Sequence, residues 1–239
     1  MYHSLKNDAI FIADSHLNKK NLEFQVFLEK LDSKEITTTQ LILMGDIFDF
    51  ISGESKYFIK LYEKSINLLN KLSKNIEIIY LEGNHDYNLQ KLFPLIKVYK
   101  IEQQPIKMNF NNKIISLAHG DNFVGGAYKV YTKVIRNHPL LVFLNALDFN
   151  HIISKKIEQA LLKKTICRDF IGFEKFSLQR LNNYKDEIVI EGHYHQGKEV
   201  KNNNQRYINI PSLCCQKQYI KLNNNSFEKI SFNFEKEIN

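Results

Sequence analysis

The stretch Ile76-Glu77-Ile78-Ile79-Tyr80-Leu81-Glu82-Gly83-Asn84-His85-Asp86 decides the fold. Its first six residues are an apolar run that reads as a strand, and polar residues with one glycine follow at once. Open α/β sheets bind their ligands beyond the carboxyl ends of their strands, and this run ends in clustered Asn, His and Asp. Asn is an uncommon metal ligand and His a common one. Side by side they point to an amide oxygen aimed at a metal and an imidazole aimed at a substrate, although Gly83-Asn84-His85-Asp86 in isolation also reads as a turn.

Working outward, residues 8–13 and 40–44 read as two further buried strands. Between them residues 20–31 carry Leu22, Val26, Phe27 and Leu31 at helical spacing, and residues 57–72 form an amphipathic helix with Phe58, Leu61, Tyr62, Ile66, Leu69 and Leu72 on one face. Strand, helix, strand, helix, strand is the βαβ pattern of a parallel sheet. Short strands are predicted at 97–101, 105–110 and 113–118, with Asn111-Asn112 as the turn between the last two. Residues 125–176 are predicted to be mostly helical, kinked or broken at Pro139, with helices at 151–163 and 169–182. Strands return at 187–191, 206–210, 217–222 and 227–234, with turns at 202–204 and 223–225. The chain reads as one domain, 1–239, in which a helical segment at about 125–182 interrupts a sheet protein. That segment is either a cap over an active site or a set of helices packed on a sheet face.

Five polar clusters follow apolar runs: Asp14-Ser15-His16, Gly45-Asp46 with Asp49, Gly83-Asn84-His85-Asp86, His119-Gly120-Asp121 and Gly192-His193-Tyr194-His195. Parallel strands gather such ends on one rim. Two divalent metals about 3.5–4 Å apart need ligands on both flanks and one bridging group. Asp46 is the natural bridge, because a carboxylate offers two oxygens and a negative charge. Asp14 with His16, and His193 with His195, can turn toward one ion if the backbone bends between them. Imidazole, carboxylate and amide donors without thiolate suit manganese, iron or zinc. His3, His138 and His151 lie outside any such cluster and read as ordinary core or surface residues.

The formal net charge of +7 favours anionic partners such as nucleotides or acidic membrane surfaces, or else marks a Lys-rich solubilising surface. No basic stripe interleaved with aromatics is present, so no nucleic-acid partner is expected. The three cysteines, Cys167, Cys214 and Cys215, are odd in number and form no Cys-x-x-Cys pair. No disulfide framework is expected, and a reducing cytoplasm fits. Residues 1–8 are polar, unlike a signal peptide, and no run approaches the roughly 20 apolar residues of a membrane span. A cytoplasmic location, soluble or peripheral on the inner membrane, is the expectation. Oligomeric state is not legible.

In their order and spacing the five clusters resemble the signature of the calcineurin-like metallophosphoesterases, over residues 11–195. The resemblance implies an α/β fold: a four-layer α/β/β/α metallophosphoesterase sandwich with a helical cap insertion and a di-metal centre at the strand ends. It implies that one metal takes Asp14, His16, Asp46 and His195, and the other Asp46, Asn84, His119 and His193. His85 would lie over the scissile phosphate, held by Asp86.

Within that superfamily the chain is similar to the UDP-2,3-diacylglucosamine diphosphatases of lipid A biosynthesis. The likeness rests on Phe11-Ile12-Ala13-Asp14-Ser15-His16-Leu17, on Gly45-Asp46-Ile47-Phe48-Asp49-Phe50, and on His119-Gly120-Asp121 opening into an apolar, basic, helical insertion. It implies in-line attack by water on the nucleotide α-phosphorus, releasing UMP and 2,3-diacylglucosamine 1-phosphate, with two divalent ions, manganese first. The insertion would receive the acyl chains. Tyr128 would line that groove or else be ordinary core, and Lys129, Lys133, Arg136 and Arg168 would meet phosphates or anionic headgroups, a solvated helix face being the alternative. The best-known relatives carry Arg where His85 stands. Histidine also donates protons to alkoxide leaving groups. A soluble metallophosphatase or phosphodiesterase acting on nucleotides, phosphoproteins or another phosphoester therefore stays open. A nuclease and a non-catalytic module are further rivals, although a candidate ligand stands at every position.

Overall fold

The computed structural model describes residues 3–202 and 204–233, without the side chains of Tyr128, Lys129 and Tyr131. Two six-stranded mixed sheets face each other. In spatial order the first holds β14 (Ser226–Ser231), β13 (Gln218–Asn223), β2 (Ile10–Ile12), β3 (Gln40–Leu43), β5 (Glu77–Leu81) and β7 (Lys97–Tyr99). The second holds β1 (His3–Ser4), β8 (Ile106–Phe110), β9 (Lys113–Ala118), β10 (Ile188–Glu191), β12 (Arg206–Asn209) and β11 (Glu199–Lys201). In the first, β2, β3, β5 and β7 run parallel; in the second, β9, β10 and β12 do. A short parallel pair, β4 (Ile51–Ser52) with β6 (Asp86–Tyr87), sits apart.

Side chains alternate across a strand, and that alternation builds the layers. Ile10, Ile12, Leu41, Leu43, Ile78 and Tyr80 point to one side. There they meet Phe24, Phe27 and Leu28 of α1 (Glu23–Asp32), Phe58 of α2 (Lys56–Leu61), and Ile66 and Leu69 of α3 (Glu63–Leu72). Phe11, Ile42, Met44, Ile79 and Leu81 point the other way, into the second sheet's Met108, Ile115, Leu117, Ile190 and Ile208. On the far face of that sheet Val189 and Tyr207 pack on Phe173 and Leu181 of α7 (Phe173–Leu181). The result is helices, sheet, sheet, helix. Each large apolar side chain so buried contributes about 1.5–3 kcal/mol.

The predicted helix at 57–72 is two helices, because the backbone leaves helical geometry at Tyr62 (φ −104°, ψ 15°), whose ring packs on Phe48. Of the two outcomes expected at Pro139 the helical stretch shows the break, between Ile135 and His138, and not a kink. Pro139 stands in the first turn of α5 (His138–Leu147), where its missing N–H costs nothing, and Asn137 caps that turn by accepting from Leu140 N. Asn111-Asn112 and Asn224-Asn225 take positive φ, as two-residue hairpin turns require. Of the turn expected at 202–204, Asn203 lies outside the described residues, as does the end of the strand predicted to reach 234.

The helical stretch divides. α7 belongs to the sandwich, whereas α4 (Ala127–Ile135), α5 and α6 (Ile152–Leu161) leave much apolar surface uncovered. Helix α5 buries none of its residues. Residues 162–172, expected to be partly helical, form neither helix nor strand.

Candidate metal centre

All five polar clusters lie on one rim. Asp14 and His16 follow β2, Asp46 follows β3, Asn84 and His85 follow β5, His119 follows β9, and His193 and His195 follow β10. The bends that turn these side chains inward are left-handed: φ is 50° at Asp14, 40° at His16, 51° at Asp46, 65° at His193 and 55° at His195. Such a conformation costs a residue with a Cβ about 1–2 kcal/mol, so the surroundings must impose it. Asp14 N and His16 N donate to the carbonyls of Gly45 and Asp46 (3.1 and 3.0 Å), and Ser212 Oγ donates to Asp14 O (2.7 Å). Asp14 Oδ2 accepts from His193 N (2.8 Å) and thereby ties the two sheets together.

The donor atoms converge in two groups. Asp14 Oδ1 and His16 Nε2 lie 3.3 and 3.4 Å from His195 Nε2. Asp46 Oδ2, Asn84 Oδ1 and His193 Nδ1 lie 3.5, 3.4 and 3.2 Å from His119 Nε2. Two donors sharing an ion at about 2.1 Å stand roughly 3.0–3.4 Å apart. These spacings therefore suit a common cation better than they suit hydrogen bonds. Asp14 Oδ1 is moreover fully buried without a hydrogen-bond partner, a state that is costly unless a cation answers it. The second ring nitrogens are occupied from outside: His119 Nδ1 donates to Met44 O (2.8 Å) and His195 Nδ1 to Ile166 O (3.2 Å), which leaves the inward nitrogen as the one that can offer a lone pair to an ion once its proton is lost.

Charge is balanced within the cluster. Burial alone would raise Asp14 and Asp46, but His195 beside the first, and His119, His85 and His16 around the second, hold both carboxyls below their ordinary range. Burial likewise opposes a proton on His119, yet Asp46, Asp121 and Asp14 hold it well above the ordinary range. His193, buried and next to His119, is pushed down to about 3. Protons and a divalent ion thus compete for the same nitrogens, and loading the ion releases protons.

One expected role is overturned. Asp86 does not orient His85. Its two oxygens accept from Gly83 N (2.7 Å), Asp46 N (3.1 Å), Ile47 N (2.8 Å) and Tyr80 OH (2.5 Å). It braces the backbone of the Asp46 and Asn84 loops. His85 is held instead through Nδ1 by the carbonyl of Asp49 (2.5 Å) and through its backbone N by Asp46 Oδ1 (2.8 Å). Asp49, whose Oδ1 also lies 3.6 Å from His16 Nδ1, is a site residue the sequence left without a role. Gly83 is required by space: a Cβ there would stand 2.2 Å from Asp46 Oδ1.

A second knot lies behind the site. Arg180 of α7, buried, bonds both oxygens of Glu191 and the carbonyls of Gly120 and Asn122. Tyr184 and Tyr207 complete the Glu191 contacts. Arg180 therefore grips the loop after β9 and the end of β10 together.

Of the basic residues expected at the substrate, Arg136 is near the site. Its Nη2 donates to Gly83 O (2.6 Å) and lies 3.5 Å from Asp121 Oδ2, while Nε and Nη1 are buried without partners. Lys133 and Arg168 are exposed, and the side chains of Tyr128 and Lys129 lie outside the described residues. A cavity of about 720 Å³ lies at the opposite end of the sheets, by Lys113, Ile188 and Arg206, and none of the candidate ligands lines it. The expectation of no disulfide fails as well. Cys167 and Cys215 are bonded, and Cys214 is a buried free thiol. Among the described residues no helix is long and apolar enough to cross a membrane.

Comparison with known proteins agrees with this geometry. The model of the calcineurin-like phosphoesterases matches residues 9–197. A UDP-2,3-diacylglucosamine hydrolase of Psychromonas ingrahamii is 28% identical over 198 residues, covering 79% of this chain and 80% of that protein. One of Histophilus somni is 23% identical over 208 residues, covering 79% and 84%. Among solved structures, Yfce, a phosphoesterase from E. coli, covers 95% of this chain and 100% of its own at 14% identity and a TM-score of 0.47, a likeness too loose to bear on function. A family match that spans most of the chain and encloses both donor groups makes this protein a member of the calcineurin-like phosphoesterase family, and a phosphoester hydrolase.

Proposed function

We propose that the protein hydrolyses the pyrophosphate bond of UDP-2,3-diacylglucosamine, releasing UMP and 2,3-diacylglucosamine 1-phosphate. The observation that carries this reading is the uncovered apolar surface of α4–α6 beside the metal centre. Val134, Phe143, Leu147, Phe149 and Ile152 are exposed there. A cleft lined by Phe50, Phe58, Leu141, Leu144, Ile153 and Ile157 runs from that surface to Phe50, the neighbour of Asp49. Apolar surface on that scale marks a ligand or membrane contact. Acyl chains would fill it, and Lys133 and Arg168 would face phosphates or an anionic membrane. The name borne by the curated relatives supports the same substrate. On this reading the helical segment acts as a cap and the enzyme works at the cytoplasmic face of the inner membrane.

Asp14, His16, Asp46 and His195 would hold one divalent ion, and Asp46, Asn84, His119 and His193 the other; manganese is the first choice, with iron or zinc as alternatives. When bound, such ions polarise phosphoryl oxygens and lower the pKa of water. The chain's own part is orientation and charge. Asp49 O fixes the His85 ring with Nδ1–H pointing away, so that Nε2 is left for the substrate. In the protonated ring Nε2 donates to a phosphoryl oxygen or to the leaving group. Arg136 pins the backbone of Gly83, two residues before that imidazole in the chain.

A second reading, a soluble phosphatase or phosphodiesterase, is favoured by His85 itself, because an alkoxide leaving group needs the proton that a phosphate leaving group does not. Incubation with UDP-2,3-diacylglucosamine and manganese, scored for UMP, separates the two. UMP release supports the lipid enzyme. Turnover of an aryl phosphate without UMP release replaces it with the second reading.

A further inference from the structure

The Cys167–Cys215 bond joins the irregular loop before α7 to the loop after β12. The residue before Cys167 is Ile166, whose carbonyl accepts from His195 Nδ1 at 3.2 Å, and Cys215 Sγ lies 3.8 Å from the same nitrogen. His195 is thus gripped on one side by the bridged loops while its other nitrogen faces Asp14 and His16. We propose that the Cys167–Cys215 bridge is a redox-dependent positioning element for His195: closed, it holds the Ile166 carbonyl on Nδ1; opened by a dithiol, it loosens the ion site that His195 shares with Asp14 and His16. The proposal rests on the metal-centre reading above.

A ligating imidazole needs its proton on the outer nitrogen and its lone pair on the inner one, and an outer acceptor sets that tautomer and the ring's orientation. The bridge is the covalent part of the loop's attachment. Gln196 also holds it, donating to Arg168 O (3.0 Å) and accepting from Phe170 N (3.1 Å). Opening the bridge therefore loosens Ile166 without freeing the whole loop. Losing an outer partner costs about 10–100-fold in metal affinity, and with Gln196 in place the lower end applies.

The chemistry is balanced and accessible. Cys167 is exposed and Cys215 half-buried. One thiolate of the dithiol attacks Cys167 Sγ, the Cys167–Cys215 bond breaks, and Cys215 leaves and takes up a proton. The second thiol then closes the reagent's own disulfide and releases Cys167 as a thiol. Two protein thiols form while the dithiol loses two electrons.

The test uses the full chain, oxidised in air or reduced with a phosphine that is then removed. Manganese binding is measured by calorimetry, and thiols are counted after denaturation. The oxidised protein should show one thiol, the reduced protein three, with one of the manganese sites weakened about tenfold on reduction. Reoxidation should restore wild type but not Cys167→Ser. Equal manganese affinities in both redox states, or three thiols in the air-oxidised protein, would overturn the proposal. If the oxidised protein binds no divalent ion at all, the metal-centre reading fails and takes the proposal with it. Misfolding of Cys167→Ser would leave the wild-type comparison decisive.

Discussion

His16 Nε2 and His195 Nε2 face each other at 3.4 Å, although 179 residues of chain separate them. That distance is too long for a good nitrogen–nitrogen hydrogen bond, and it suits two ligands of one ion. Replacing either residue with Ala should remove one ion and leave the group around His119 loaded. Asp46→Asn should weaken both. Outer partners alone are worth about 10–100-fold, so each ligand variant should lose at least about 100-fold in turnover. Metal analysis of purified variants beside wild type checks the stoichiometry. Two ions retained in His16→Ala would refute the assignment.

Asp86 is a brace, which predicts an effect on stability before any effect on chemistry. Asp86→Asn puts an amide N–H₂ where backbone N–H groups now donate, and buried unsatisfied donors cost about 1–3 kcal/mol each. A loss of about 2–4 kcal/mol in urea unfolding is expected. Tyr80→Phe removes one donor only and should cost about 1 kcal/mol with metal content unchanged. If Asp86→Asn were as stable as wild type and only slower, the catalytic role first expected of Asp86 would return.

Glu82 adds a dependence on pH. Burial, helped by Asp86, raises its carboxyl from the ordinary 4.5 to about 7, against the Leu89 N–H, Arg136 and Lys100. The folded chain thus keeps a proton that the unfolded chain releases, and stability falls as pH rises from about 4.5 to 7. Glu82→Gln removes that penalty and keeps an acceptor for Leu89 N. The variant should be more stable than wild type by about 1–3 kcal/mol at pH 8, with the gap closing near pH 4.5. Unfolding of the metal-free proteins at the two pH values measures it; a gap independent of pH would be the contrary result.

His85 separates two kinds of leaving group. If its protonated ring only holds charge on a phosphoryl oxygen, His85→Arg should retain most activity on a UDP-linked lipid. If it donates a proton, His85→Arg should lose about 10²–10⁴-fold on an alkyl phosphate, the usual worth of a general acid. Side-by-side assays of wild type, His85→Arg and His85→Ala on both substrates decide it.

The parts of this molecule that were legible in the sequence are those in which the side chain carries the information. Strands β2, β3 and β5 are buried on both faces and read as unbroken apolar runs. Asp14, His16, Asp46, Asn84, His119, His193 and His195 are donors by residue type, and strand order brings them together. What was hidden works through the backbone or against the usual rules. The carbonyls of Asp49, Met44 and Ile166 hold three imidazoles, yet every residue has a carbonyl. Arg180 and Glu191 are buried, although charged residues normally are not. Cys167 and Cys215 are 48 residues apart, with no spacing rule to pair them. β4, β6 and β11 are too short for any period to show.

The grip of Arg180 on Gly120, Asn122 and Glu191 has a consequence for timing. As the chain leaves the ribosome, β9 and its His119 appear early and can pair with β8, but the parallel neighbour of β9, β10, follows about seventy residues later, with α7 just ahead of it. No fragment short of that point can draw His119 and His193 together, and none can close Asp14 and His16 on His195. Contacts this distant are late events in folding. Neither donor group can therefore close until the chain has emerged past His195, so any ion they hold is taken up late, with only β11 to β14 still to follow.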